Sequence, residues 1–234
     1  LRPGNAGSNT AVDHVTVLAD ALDQLPDEWS AGHAVGDDPN LVEHPVLIRA
    51  DAGGASHWFA EECAARNLDY SFGFHIDHRV RDGVMMVPTG CWHPAIDAGG
   101  ARRDGAEVVE LTEFVDLSTW PDGTRLIVRR ERPHPGAQLS LFDTIEGFRH
   151  TAFITTQTSY DVAALELQQR QRARAENVIR DAKACGLANL PFDDVVNNEV
   201  WMNLCFAAND LLGWAQRIGC VGQLRRATPK TIRH

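Results

Sequence analysis

Residues 45–54 read PVLIRADAGG, and this stretch decides the fold class. Its apolar run predicts a short buried strand that ends at Asp51, and the small residues after it predict a turn. A helix is predicted over residues 56–66 and a second strand over residues 70–74. This strand–loop–helix–strand order is typical of an α/β domain. It places Asp51 at the carboxyl end of a strand, where open α/β sheets bind their ligands.

The flanking segments differ in their patterns. A helix capped by Thr10 is predicted up to about Leu25, ahead of the strand. Beyond it, alternating and β-branched residues predict strands at 84–88, 106–115, 124–131 and 151–157. Helical patterns return over 160–185 and from about 192 to 217. We therefore divide the chain into an α/β part at 1–74, a β-rich insertion at 75–159 and C-terminal helices at 160–234.

Arg172, Glu176 and Lys183 share one face of the helix predicted over 160–185. Their spacings of four and seven residues keep them within roughly 40° of one another around the helix axis, and Gln169 follows at roughly 60°. The chain has 20 Arg but only two Lys, so a Lys aligned with a Glu and an Arg is noteworthy. A carboxylate between two cations can hold a metal ion while the cations hold phosphates. The alternative is an ordinary i,i+4 ion pair on a solvated helix.

Composition excludes some classes of protein and leaves others open. The 234 residues are 44% apolar and 23% charged, as in ordinary globular domains, and no apolar run is long enough to span a membrane. The five cysteines are scattered without a Cys-x-x-Cys pair, which favours a reducing cytoplasm. The net charge of −10 argues against a simple nucleic-acid coat, yet residues 123–234 carry 15 bases and 11 acids. The second half could therefore face a polyanion.

Two further groups of residues are candidates for a site. A basic group at a predicted strand end could contact a DNA backbone, or could simply be solvated; it consists of Arg129, Arg130, Arg132 and His134. His75, Asp77 and His78 could chelate a metal in a small-molecule hydrolase, or could form an exposed polar loop. The hydrolase hypothesis requires these three side chains to converge with Asp51.

Over nearly its whole length, the chain resembles the DDE transposases of bacterial insertion sequences, the group described as transposase DDE domain group 1. The most specific match is Arg172, three residues, Glu176, six residues and Lys183. The family has a Tyr or similar polar residue before the Arg with two residues between them, where this chain has Gln169. The other matching stretches are LRPGNA at 1–6, IRAD at 48–51 and VRRERPHPGAQ at 128–138.

The resemblance implies an RNase H-like fold interrupted by a β-rich insertion. Asp51 and Glu176 would be the second and third catalytic acids and would bind Mg²⁺ or Mn²⁺. Arg172 and Lys183 would grip the phosphates of the transposon ends. The first Asp of the triad belongs on an opening strand expected before Leu1, so we expect an incomplete fold, an interior fragment or a truncated copy.

The implied activity is cleavage of transposon-end DNA and transfer of the strand to target DNA, by a homodimer on paired ends. Without the first Asp, this chain alone is expected to be inactive. The alternative is a catalytically dead remnant that still binds DNA or a partner protein.

Overall fold

The apolar run at residues 45–50 forms the first strand, as the sequence predicts. The computed structural model describes residues 10–133 and 144–232. LRPGNA at 1–6 and the second half of the 128–138 stretch, including His134, lie outside the described residues. The strands are β1 Leu47–Ala50, β2 Asp69–Phe74, β3 His93–Ile96, β4 Arg102–Glu110, β5 Arg125–Glu131, β6 Thr144–Ile145 and β7 Phe148–Thr155.

Eight α-helices accompany these strands in the described parts of the chain. They are α1 Ala11–Leu22, α2 Asp27–Ser30, α3 His57–Ala64, α4 His78–Met86, α5 Val162–Arg170, α6 Ala173–Ala182, α7 Val195–Gly219 and α8 Pro229–Ile232. The chain divides into two compact units. We call the described residues up to Gln171 the sheet unit and those from Arg172 to Ile232 the helical unit.

One mixed sheet organises the sheet unit. Its strand order is β1-β2-β7-β5-β4-β3, with β6 paired to β7. β1 and β2 are parallel and joined through α3, whereas the remaining pairs are antiparallel. The strands of the predicted insertion thus continue the sheet beyond β2, because β7 pairs directly with β2.

Apolar side chains cover both faces of this sheet. Phe72, Val128 and Ile154 belong to the larger core cluster, which also contains residues of α1, α3 and α4. Ile127 and Phe153 point to the other face and pack with Leu165 of α5. The alternation within β5 and β7 therefore buries both faces, as neighbouring residues of a strand point to opposite sides.

Local sequence signals explain several helix boundaries. Thr10 and Asp13 form a capping box at the start of α1, and Ser56 caps α3. The strand predicted at 84–88 is wrong, because these residues lie in or just after α4. Asp77 accepts a hydrogen bond from the Val80 amide at 3.1 Å and thereby starts this helix.

The helix predicted over 160–185 is interrupted. α5 ends at Arg170 and α6 begins at Ala173, while Lys183 opens a short π-helical turn over Lys183–Leu187. The interruption coincides with the boundary between the two compact units at Gln171 and Arg172. α5 packs on β3, β4 and β5, although the division of the sequence placed it with the C-terminal helices.

The helical unit is held by specific polar contacts. The side-chain amide of the buried Asn198 bonds to the backbone N–H and C=O of Phe192, at 3.1 and 2.7 Å. The indole N–H of Trp201 donates to the Gly186 carbonyl at 3.2 Å. Gly186 has a φ of 132°, and a Cβ there would lie 3.0 Å from both Trp201 and the Cys205 sulfur. A side chain at this position is therefore excluded.

Candidate functional site

Asp51 lies in the turn that follows β1, at the carboxyl end of the parallel pair β1–β2. The residue is exposed, and its Oδ1 accepts a hydrogen bond from the Gly53 amide at 3.0 Å. The neighbouring strand contributes Gly73, where a Cβ would lie 2.8 Å from the Ala52 nitrogen and 3.1 Å from the Asp51 carbonyl carbon. Backbone packing against β2 thus fixes the turn that presents the Asp51 carboxylate.

Gln169 is tied to the strand that carries Asp51. Its Nε2 donates to the Ala50 carbonyl at 3.1 Å, and Arg49 donates in return to the Gln168 carbonyl at 2.7 Å. The end of α5 therefore lies beside the end of β1. The Oε1 atom of Gln169 is buried and has no hydrogen-bond partner among the described residues. A buried acceptor without a partner is costly, so this oxygen is suited to receive a ligand or a water molecule.

Glu176 lies on α6, in the helical unit. Its side chain is 63% exposed and accepts a hydrogen bond from Arg172 at 3.2 Å. This is the ordinary i,i+4 pair that the spacing predicts, and water screens it strongly. The single helix predicted to carry Gln169, Arg172, Glu176 and Lys183 is wrong, because α5 ends at Arg170 and α6 spans only Ala173–Ala182.

The comparisons with known proteins identify the family. The family model described as transposase DDE domain group 1 matches residues 1–234. The chain belongs to this family. No curated protein matches the chain.

Membership makes this protein a DDE transposase, by resemblance an enzyme of the polynucleotidyl transferase type that acts on DNA. Its mixed α/β sheet is compatible with a DDE or RNase H-like domain. DDE transposases generally depend on divalent metal ions. Among the described helices, none is long and apolar enough to cross a membrane.

The transposase offers oxygen ligands of the type that such an ion binds. Asp51 offers an exposed carboxylate and Gln169 an unpaired amide oxygen near the same strand end. Glu176 supplies a second exposed carboxylate on α6. Mg²⁺ prefers oxygen ligands and takes one or two carboxylates together with substrate phosphates. That Asp51 and Glu176 bind one ion stays a prediction.

Arg129 and Arg130, predicted to contact DNA, are engaged inside the sheet unit. Arg129 is 12% exposed and forms ion pairs with Glu166 at 2.6 Å and Glu131 at 3.2 Å. Arg130 pairs with Glu107 at 2.6 Å, and its guanidinium stacks 4.0 Å from the centre of the Trp92 ring. Both side chains would have to break these contacts to reach a phosphate. Their visible role is to hold the sheet together.

Glu166 is the charged residue whose role the sequence did not reveal. It is 4% exposed and receives hydrogen bonds from Arg129 of β5 and Arg170 of α5. The i,i+4 spacing to Arg170 was visible in the sequence. The contact with Arg129, 37 residues away, depends on the packing of α5 against the sheet.

The metal hydrolase considered as a rival is wrong. Asp77 caps α4 and pairs with Arg79 at 2.8 Å. Among residues 10–133 and 144–232, no group of three His, Cys, Asp or Glu side chains could hold a metal ion. His75, Asp77 and His78 thus do not form a site with Asp51.

Proposed function

We propose that this protein catalyses metal-dependent cleavage and transfer of DNA strands at the ends of a bacterial insertion sequence. Asp51 carries the proposal, because its exposed carboxylate lies at the strand end where the family resemblance places the second catalytic acid. Glu176 is the third acid. Both bind Mg²⁺ or Mn²⁺, and the reaction takes place in the cytoplasm.

The fold that supports this function is an RNase H-like domain in which residues 75–159 form the β-rich insertion. The parallel pair β1–β2 and the intervening α3 are the RNase H-like part. β7, β5, β4 and β3 extend the same sheet past β2. The insertion therefore adds strands without displacing the turn that presents Asp51.

The chain supplies ligands and positions DNA. A bound divalent ion activates water as a nucleophile and neutralises charge at the phosphodiester. Asp51 and Glu176 would hold the ion through their carboxylate oxygens. Arg172, Gln169 and Lys183 contact the DNA backbone and orient the scissile phosphodiester, which lowers the entropic part of the barrier.

Chain connectivity permits Asp51 and Glu176 to act together. Gln169 is bonded to Ala50, directly before Asp51. Glu176 follows Gln169 by seven residues, which span at most about 25 Å when fully extended.

Substitution of the two acids tests the proposal in the protein as the cell makes it. Asp51→Asn and Glu176→Gln are expected to abolish cleavage of DNA that carries the element's own ends, while binding to those ends persists. The exposed residues Asp122 and Glu199 provide matched controls as Asp122→Asn and Glu199→Gln. Cleavage at the normal rate in either acid variant contradicts the assignment.

Metal binding tests whether the two acids share an ion. Mn²⁺ titration followed by electron paramagnetic resonance should show weaker binding in each single variant. If both carboxylates hold the same ion, the double variant should lose much less affinity than the sum of the two single losses, since coupled residues are not additive. Strictly additive losses would assign the carboxylates to separate ions.

A second candidate function is a binding protein without catalysis, and the exposed face of α7 favours it. Apolar residues recur along α7 at alternating spacings of four and three, and all of them are exposed: Val200, Leu204, Ala207, Leu211, Trp214 and Ile218. This is the heptad repeat of a coiled coil. The same face is suited to the homodimer proposed on paired ends. Measured transposon-end binding with no cleavage at any Mg²⁺ or Mn²⁺ concentration would support the binding protein.

A further inference from the structure

An irregularity in the sheet shapes a cavity at its β3 edge. Pro94 and Ile96, two residues apart in β3, pair with Glu107 and Arg102, five residues apart in β4. β4 therefore carries three additional residues between these pairs. Gly105 within the bulge has a φ of 69°, which favours glycine, and its carbonyl accepts a hydrogen bond from the Arg132 amide at 2.9 Å.

The bulge and the end of β5 line an open cavity of about 460 Å³. Three arginines line it: Arg102 and Arg103 from the bulged part of β4, and Arg132 directly after β5. Bulges redirect side chains that a regular strand would alternate between its two faces. This one brings two consecutive arginines to one cavity.

The lining acids leave an excess of positive charge. Glu107 is already paired with Arg130, which leaves Asp104 as the lining carboxylate without such a partner among the described residues. Arg102 and Arg132 are exposed, and within the described residues neither has a carboxylate at ion-pair distance. The cavity can therefore accept an anion.

Arg103 presents a nitrogen for which the structure supplies no acceptor. Its NH2 group pairs with Glu131 at 2.8 Å, whereas NH1 is buried and has no hydrogen-bond partner among the described residues. A guanidinium held on one side by a carboxylate is oriented, so its free nitrogen can donate to a ligand without a large loss of entropy.

We propose that this cavity binds a phosphate group of the DNA backbone, with Arg102, Arg103 and Arg132 as donors. Phosphate oxygens match the fork of a guanidinium, and contacts of this kind hold DNA without reading its sequence. The inference rests on the proposed function, which makes DNA the substrate. In this proposal, Arg102, Arg103 and Arg132 contact the DNA backbone in place of Arg129 and Arg130.

The salt dependence of DNA binding tests the cavity. The probe is a fluorescein-labelled duplex of arbitrary sequence, and anisotropy gives the binding constant between about 50 and 200 mM salt. In Arg102→Ala/Arg132→Ala, the slope of log K against log salt should become shallower by about 0.9, since the lost contact is to one phosphate. Arg102→Ala alone should change the slope in the same direction by a smaller amount and is the variant to use if the double variant does not fold.

The control removes the same charge elsewhere. Arg79 and Arg149 lie outside the cavity lining, and Arg79→Ala/Arg149→Ala changes the net charge equally. An equal change in slope for both double variants, or an unchanged slope in the cavity variant, overturns the proposal. Failure of the proposed function has a different signature, because Asp51→Asn would then leave cleavage intact whatever the cavity variants do to binding.

Discussion

Glu166 and Glu176 each lie four residues from an arginine, one in the sheet unit and one in the helical unit. Glu166 is 4% exposed and pairs with Arg129 as well as Arg170, whereas Glu176 is 63% exposed and pairs only with Arg172 among the described residues. The spacing in sequence is the same and the environment is opposite. The buried carboxylate stabilises the fold, and the exposed one is accessible to a ligand.

The two units differ in the same way for apolar residues. Ile154 in the centre of the sheet is fully buried, whereas Ile218 on α7 is 87% exposed. Within the described residues, the sheet unit buries a large apolar core, whereas the helical unit exposes apolar side chains along α7. A contiguous apolar face on a protein surface marks a contact with another molecule or segment.

The largest effect is expected from Glu166→Ala. It leaves the buried Arg129 without its closest carboxylate, and loss of one partner of a buried ion pair destabilises by about 3–5 kcal/mol. Urea unfolding measures the free energy of unfolding. Glu176→Ala is the matched control and should change it by no more than about 0.5 kcal/mol. Equal losses in the two variants would remove the distinction between the units.

Ile154→Ala comes next. Truncation of a buried isoleucine should lower the free energy of unfolding by about 2–5 kcal/mol. Ile218→Ala is expected to stay within about 0.5 kcal/mol, because water already surrounds the side chain. A loss in Ile218→Ala that grows with protein concentration would instead show that α7 is covered by a second copy in solution.

Two helix caps allow a comparison in which a smaller change in the free energy of unfolding is expected. Asp77 caps α4 in the sheet unit and Asp194 caps α7 in the helical unit, each through a backbone N–H at 3.1 Å. Replacement of either by Ala should cost about 1 kcal/mol. If the units unfold separately, circular dichroism during urea unfolding should show each substitution in a different transition. A single shared transition that shifts equally in both variants would mean that the units unfold together.

The smallest effect concerns pH. Two hydrogen bonds from the Arg125 guanidinium hold the pKa of the Glu110 carboxyl below its ordinary value of 4.5. The unfolded chain therefore binds more protons at this residue, and the stabilisation is complete above 4.5 and is lost as the pH falls through the folded pKa. Water screens this partly exposed pair, so the contribution is modest.

Glu110→Gln checks this dependence. The difference in free energy of unfolding between wild type and Glu110→Gln should be largest at neutral pH and shrink below 4.5. The exposed Glu113→Gln serves as the control for loss of a charge. A difference that stays constant with pH would contradict the role of Arg125.

Local patterns predicted much of the sheet unit. The strand before Asp51, the helix after it and the cap at Thr10 follow from neighbouring residues, and the structure confirms them. The strand predicted at 84–88 was wrong because a side chain outside the segment, Asp77, starts a helix there. The short β3 was missed, since four residues give too few alternations to recognise.

The position of Asp51 could be predicted, whereas the surroundings of the candidate residues could not. Asp51 could be placed at a strand end because that position follows from the order of elements. The burial of Arg129 could not be predicted, because it depends on Glu166, which lies 37 residues away on a helix. The break after α5 could not be predicted either, because Gln171 and Arg172 both keep right-handed helical backbone angles.

The close approach at Gly73 has a practical consequence. Since a methyl group there would collide with the peptide that joins Asp51 to Ala52, Gly73→Ala offers a way to misplace the acid while leaving every polar group in the protein unchanged. The carboxylate could thus be displaced by one added methyl group, with no change in charge or hydrogen-bonding groups.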